Sequence, residues 1–460
     1  MKIKIQVIID DDNQVITEDI MSLVRDDLSV ETLGMSLKES KDIAIGLQHA
    51  LVSHQIADYL RHHRTCLHCG KQCHIKDYYS LTYRTLFGKL TLKSPRLYTC
   101  TCQPQEKASF SPLAEVLFEH SAPELCYLES KWASLMSYGM TVKLLEEVLP
   151  LDISPSSVYY NTQQVSLRVE QELGDEQMMY VEGCPNIWDK LPRPDSPLTV
   201  GIDGGYVHAR NGDDRKAGWF EVIVGKSMQE NSPTKRFGFV ATYDTKPKRK
   251  LYEMLRNQGL QMNQAITFLS DGGDTVRDLQ LYLSPLAEHI LDWFHVTMRI
   301  TVMKQMAATL STQEHLKNLT EDLDRVKWYL WHGNVYRALA EVESISFDLD
   351  PEAKNNTEAK LMDALEEFDQ YIKNNAALIP NYSDRYHYGE AITTAFVEST
   401  VNELVSKRMV KKQQMRWTQK GAHLLLQVRV KTLNNELRQT FCKWYSKMEK
   451  NDDATLPLAA

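Results

Sequence analysis

The chain has no apolar run long enough to span a bilayer. Its start, "MKIKIQVIIDDDNQ", alternates like a strand and shows no signal-peptide cleavage pattern. Internal repeats are missing as well. These absences exclude a membrane-spanning or repeat architecture and predict a cytoplasmic protein without a membrane partner. There is no overall positive charge: 53 Lys+Arg stand against 61 Asp+Glu, a net −8, which excludes a surface coated in basic groups. Cysteine is sparse. In a reducing compartment the eight present are thiols or metal ligands rather than disulfides.

What is present is ordinary in bulk and uneven in detail. The hydrophobic and charged fractions, 43% and 25%, are those of a globular protein, and 460 residues suffice for several domains with real cores. Residues 61–100 hold eight Lys/Arg against one acid, Asp77. Residues 401–450 hold twelve against three, whereas 311–378 is acidic. Two basic patches on an acidic chain suggest a localised anionic partner such as nucleic acid, set against the plainer reading of solvated faces.

The first patch surrounds "CLHCGKQCH" and a strand-like run ending "YTCTC". It contains Cys66-x-x-Cys69 and Cys100-x-Cys102, two close pairs joined by a β-hairpin pattern. A zinc ribbon gathers four thiolates around one tetrahedral ion in this way. The second pair is tighter than usual, and Cys73 and His74 offer substitute ligands. Next, "TVKLLEEVLP" reads as a helix stopped by Pro150. "LDISPSSVYYNTQQVSLRVEQEL" restarts one, with Ser154 as N-cap and Pro155 at the first helical position. That layout suggests a helix-turn-helix whose second helix presents Ser156, Tyr160, Asn161 and Gln164 to DNA. Residues 174–197 read as a linker.

Beyond it the pattern becomes α/β. "LTVGIDGGYVHA", "WFEVIVGKSM" and "RFGFVATYD" read as three strands, followed by helix, strand ("AITFLSDGG"), helix and strand ("AEHILDWFHV"). This is the order of an RNase H-like mixed sheet. A helical segment follows, with Leu361, Leu365, Phe368 and Ile372 on one face.

Three carboxylates stand out. Asp203 interrupts the first strand of the sheet and Asp271 ends the fourth; in this fold those strands are neighbours. Glu398 lies at the edge of the stripe Val397, Val401, Leu404, Val405 and Met409, a position that predicts a protein-facing side chain. Converging carboxylates repel unless cations neutralise them, and hard oxygen ligands select Mg²⁺ or Mn²⁺. Each residue also has a bland reading, as a turn aspartate or a helix-start acid. The three together favour catalysis.

Taken with "FLSDGGDTVRDL", "AEHILDWFHVTMR", "VKWYLWHGN" and "AFVESTVNELVSKRMVKKQQMRWTQKGAHLLLQVR", the chain closely resembles the ISKra-type insertion-sequence transposases of the DDE superfamily, over roughly residues 60–445. The resemblance implies that Asp203, Asp271 and Glu398 form a metal-binding catalytic triad. It also implies a helical insertion before the glutamate and a prokaryotic, nucleoid-associated protein. Asp292 and His295 recur in related transposases and are accessory candidates. Lys407, Arg408, Lys411, Lys412 and Arg416 would hold phosphates, while Trp417 reads as a packing residue.

The expected organisation is a strand/helix region (1–60), a zinc-ribbon-like region (61–110) and a helix-turn-helix (120–175). The RNase H-like core follows in two parts (197–305 and 391–450) around a helical insertion (306–390). The expected cofactors are Mg²⁺ or Mn²⁺ and a structural Zn²⁺. The expected partners are double-stranded DNA, as terminal inverted repeats and target, and further copies of the chain in a synaptic complex. The alternatives are an inactive or domesticated DNA-binding repressor, or another RNase H-like nuclease.

Overall fold

The computed structural model describes the chain apart from residues 12–13, 67, 103–107, 175–189, 193–195, 211–217, 262, 284–286, 311–317, 350–355, 411–414 and 449–460. Most of the expected linker thus lies outside the described residues, as do Lys411 and Lys412. The chain divides into two units, Met1–Val165 with Glu436–Ala460, and Ser166–Asn435.

The first unit opens with an antiparallel hairpin, β1 (Lys2–Asp11) and β2 (Gln14–Val24). The helix Leu37–His62 follows. Ser36 caps it, accepting from the Glu39 amide while the Glu39 carboxylate reaches back to the Ser36 amide. Strands β3 (Ile75–Thr85), β4 (Gly88–Tyr98) and β5 (Ser109–Phe110) form an antiparallel sheet. Its inward side chains Leu81, Leu90 and Leu92 pack with Val52 and Ile56 of the long helix. The helices Pro123–Leu135 and Tyr138–Val148 come next, then the helix starting at Pro155, where Ser154 Oγ accepts from the Ser157 amide at 3.2 Å. The carboxyl-terminal helix Leu437–Trp444 returns to this unit. Phe441 meets Tyr127 edge-on at 5.6 Å, and Arg438 donates to Glu124 at 2.6 Å. Residues from Glu436 onward thus group with the first unit.

In the second unit β6 (Leu198–His208), β7 (Trp219–Met228), β8 (Lys235–Val240), β9 (Ile266–Ser270) and β10 (Glu288–Leu291) make one sheet, in the order β10-β9-β6-β7-β8. β7 runs antiparallel to both its neighbours; β9 runs parallel to β6, and β10 parallel to β9. Alternation assigns the faces. Ile202, Ile223 and Phe268 point to one side, where they meet Leu251, Leu255, Val276 and Leu279 of the helices Pro247–Gln258 and Asp274–Leu283.

Val207, Val222 and Val224 point to the other, against Val397, Leu404, Val405 and Leu425. The helix Ala395–Val401 lies flush on this second face because β6 offers glycines there. A Cβ on Gly201 would sit 2.2 Å from Val397 Cγ2, and one on Gly205 would sit 2.9 Å from Val401 Cγ1. The helix then loosens into a π-helix, Asn402–Val410, before the helix Gln419–Leu433. Glu398 is exposed, contrary to the protein-facing orientation expected. That expectation ran one 3.6-residue period through residue 409, and the π-helix breaks that period at 402.

The helical segment packs on the helix Trp293–Leu310. Its stripe is buried as expected, with Leu361, Leu365 and Ile372 at 0% exposure and Phe368 at 1%. Among the described residues, no helix is long and apolar enough to cross a membrane.

Candidate functional site

Strand register brings the first two carboxylates together. Gly201 of β6 lies opposite Leu269 of β9 in parallel pairing. Two residues further along each chain are Asp203 and Asp271, and parity sends both to the face covered by the helix Ala395–Val401. Leu291 pairs with Ser270, and the Asp292 amide donates to the Ser270 carbonyl at 2.8 Å, so Asp292 adjoins Asp271 in turn. The electrostatics reflect this crowding. Burial raises the Asp203 carboxyl, and the charges of Asp271 and Asp292 raise it further. The Gly204 amide, which donates at 2.7 Å, and His295 pull it down.

The glycines after Asp271 have separate tasks. Gly272 adopts φ +87°, and a Cβ there would lie 2.2 Å from Asn375 Oδ1. The Gly273 amide donates to Asp271 Oδ1 at 3.1 Å. Two further groups brace the turn. Ser270 Oγ accepts from the Gly272 amide at 3.1 Å and shares a 2.7 Å hydrogen bond with His289, whose imidazole burial pushes down to about 4. The Tyr371 hydroxyl donates to the Asp271 carbonyl at 3.1 Å.

Asp292 is fully buried and its acceptor capacity is used up. One oxygen accepts from the amides of Phe294 (2.8 Å) and Thr394 (3.2 Å). The other accepts from His295 Nδ1 (2.7 Å) and the Thr394 hydroxyl. A carboxylate offers about four lone-pair sites, so none is left for a metal. The sequence offered Asp292 as an accessory candidate; the geometry makes it the group that orients His295. That hydrogen bond raises the His295 imidazolium above its ordinary value against the effect of burial, and Asp203 and Asp271 add to the rise.

Glu398 rides on the helix whose Val397 and Val401 straddle the Asp203 position on β6. The oxygens of Asp203, Asp271 and Glu398 do not form one of the tight ligand groups found among the described residues, which are two. One of those is Glu170, Asp244 and His423, to which Lys250 supplies the cation. At the aspartate cluster, Asp203 bears a carboxylate disfavoured by burial and by like charges. This is a hard-oxygen site that a divalent cation would relieve, so the residues fit Mg²⁺ or Mn²⁺.

The other tight group is Cys66, Cys69, Cys100 and Cys102. Cys66 Sγ lies 3.5 Å from Cys102 Sγ, and Cys69 Sγ 3.4 Å from Cys100 Sγ. Tetrahedral zinc with bonds of about 2.3 Å has S···S edges of about 3.8 Å, so the four thiols already have nearly the required spacing. Backbone amides of Cys69 and His68 hold the Cys66 thiol down at about 6, and the Cys102 amide lowers Cys100. This cluster could bind zinc. Cys73 is buried beside it and His74 is exposed; neither belongs to the group of four.

The expected DNA-contacting residues divide. Ser156, Tyr160 and Gln164 are exposed, but Asn161 turns inward and donates to the buried Glu129 at 2.6 Å. Lys407 and Arg416 are exposed. Arg408 is fully buried, with its guanidinium 5.2 Å from the Trp417 ring and 3.6 Å from Met415 Sδ, so it cannot reach a phosphate. Trp417 is itself a packing residue, its indole N–H bonded to the Met409 carbonyl. Sequence reasoning missed Ser270, His289, Tyr371 and Thr394, which carry no local signal.

No protein-family model matches the chain, and a search of curated proteins finds no match. Among solved structures, the chain is similar to the Drosophila P element transposase strand transfer complex. The match has 12% identity and a TM-score of 0.31, over 69% of this chain and 93% of that one.

Proposed function

We propose that this chain is a DDE transposase of an insertion sequence: a metal-dependent enzyme that cleaves DNA at terminal inverted repeats and joins the ends to target DNA. The observation that carries this reading is the β6–β9 register, which sets Asp203 beside Asp271 under a helix bearing Glu398. A sheet in the order β10-β9-β6-β7-β8 with only β7 reversed supports an RNase H-like core.

Asp203, Asp271 and Glu398 would hold the divalent cations. When bound, such ions activate the attacking oxygen and stabilise the leaving oxygen of a phosphodiester. The chain's own part is positional. The Gly272–Gly273 turn, Ser270 and Tyr371 fix Asp271, and Asp292 orients His295 near the two aspartates and favours its protonated form, which suits a phosphate oxygen. The zinc-ribbon-like cluster and the exposed Ser156, Tyr160 and Gln164 would bind the terminal repeats. Lys407 and Arg416 would contact phosphates, and several copies would act together.

The test is nicking and strand joining on end-containing DNA with Mg²⁺. Asp203→Asn, Asp271→Asn and Glu398→Gln should each abolish both reactions while leaving DNA binding nearly intact. Nicking at the wild-type rate in any one variant removes that residue from the triad. Binding by the wild type without nicking would instead favour a repressor, and nicking without joining a nuclease.

A further inference from the structure

The amino-terminal hairpin is a two-stranded sheet that no third strand joins among the described residues. Such hairpins are marginal alone, and a long free edge is a template for another strand. We propose that β1 is that edge, and that two copies of the chain pair antiparallel through Lys2–Asp11 to make a four-stranded sheet.

The pattern of β1 points to a second copy as the occupant. Ile5, Val7 and Ile9 are half-buried on one face; Lys2, Lys4, Gln6, Ile8 and Asp10 are exposed on the other. The strand begins with Lys2 and Lys4 and ends with Asp10 and Asp11. In antiparallel self-pairing centred on Gln6, Lys2 of each copy meets Asp10 of the other on the same face, and Lys4 meets Ile8. Opposite charges across a strand pair stabilise it, and the two-fold axis repeats the match at both ends. Parallel pairing would set lysines against lysines and aspartates against aspartates.

β2 is unsuited to the same role. It carries Glu18 and Asp19 at its middle, so self-pairing there would oppose acids. Its register shifts opposite Ile5 and Gln6, where Ile20 is the extra residue. Ile20 is also engaged already, against Gly46 of the helix Leu37–His62, and Glu18 pairs with His54 of that helix at 3.0 Å.

The experiment uses the full chain in sedimentation equilibrium. The wild type should dimerise by mass action. The variants K2E/K4E and D10K/D11K, which make β1 all acidic and all basic, should each run as monomers with unchanged far-UV circular dichroism. Mixing the two should restore a one-to-one heterodimer. As an independent arm, Gln6→Cys should form an intermolecular disulfide on oxidation. A wild type that is monomeric at every concentration overturns the proposal. So does an oligomer that survives in both charge variants, or a failure of both the mixing and the cross-linking arms.

Discussion

Replacing Glu129 by glutamine tests how the amino-terminal helices are held. Glu129 has 0% exposure within the helix Pro123–Leu135. One oxygen accepts from Asn161 at 2.6 Å, and the other is buried with no hydrogen-bond partner. Burial raises its carboxyl from 4.5 to about 7, with Asn161 and Arg84 opposing the rise. A change of that size corresponds to about 3 kcal/mol favouring the neutral form. Because the folded value is the higher one, this stability is fully present below 4.5 and is lost as pH rises through about 7. Glutamine stays neutral throughout. Guanidinium unfolding from acid to mildly alkaline pH should therefore show Glu129→Gln close to the wild type in acid and more stable by about 3 kcal/mol once the carboxyl has ionised. Profiles that stay parallel across the range would refute a buried, neutral-at-rest carboxyl.

The other expectations are more local. The purified protein should contain one zinc per chain bound by Cys66, Cys69, Cys100 and Cys102; zinc-free protein whose four thiols alkylate freely in the native state would exclude the site. Gly272→Ala should lose roughly 1–3 kcal/mol from a strained φ, plus the clash with Asn375. Gly34→Ala has φ +82° and open space around it, so it should lose only the first part; equal losses in chemical denaturation would show that the contact is not felt. Tyr371→Phe should cost about 1 kcal/mol of stability and slow nicking. An unchanged nicking rate would remove Tyr371 from the positioning of Asp271.

Much of the core was legible locally. Short apolar runs marked the five strands of the sheet, and a 3.6-residue stripe marked Leu361, Leu365, Phe368 and Ile372, because burial of a strand or of a helix face shows within a few neighbouring residues. Cys66-x-x-Cys69 and Cys100-x-Cys102 were legible for the same reason, since a tetrahedral thiolate site imposes its spacing on the chain. The direction of individual polar side chains was not. Asn161 and Arg408 sit in runs that read as solvent-facing, and each points inward.

The sequence by itself determined which residues carry the candidate chemistry: the Asp203 and Asp271 strand positions, Glu398 on its helix, and the cysteine pairs. Tertiary structure alone decided what each is free to do. Asp292 and Asp271 look equivalent in the chain, each an acid at a strand end. Asp292 spends its lone pairs on neighbours that include Thr394, 102 residues away, whereas the Asp271 carboxylate accepts within its own turn and Tyr371, 100 residues away, bonds only its carbonyl. A periodic pattern is set by residues two to four apart and survives in the sequence. Whether a carboxylate keeps a lone pair for a cation depends on which distant donors packing delivers, and no short window of the chain contains them.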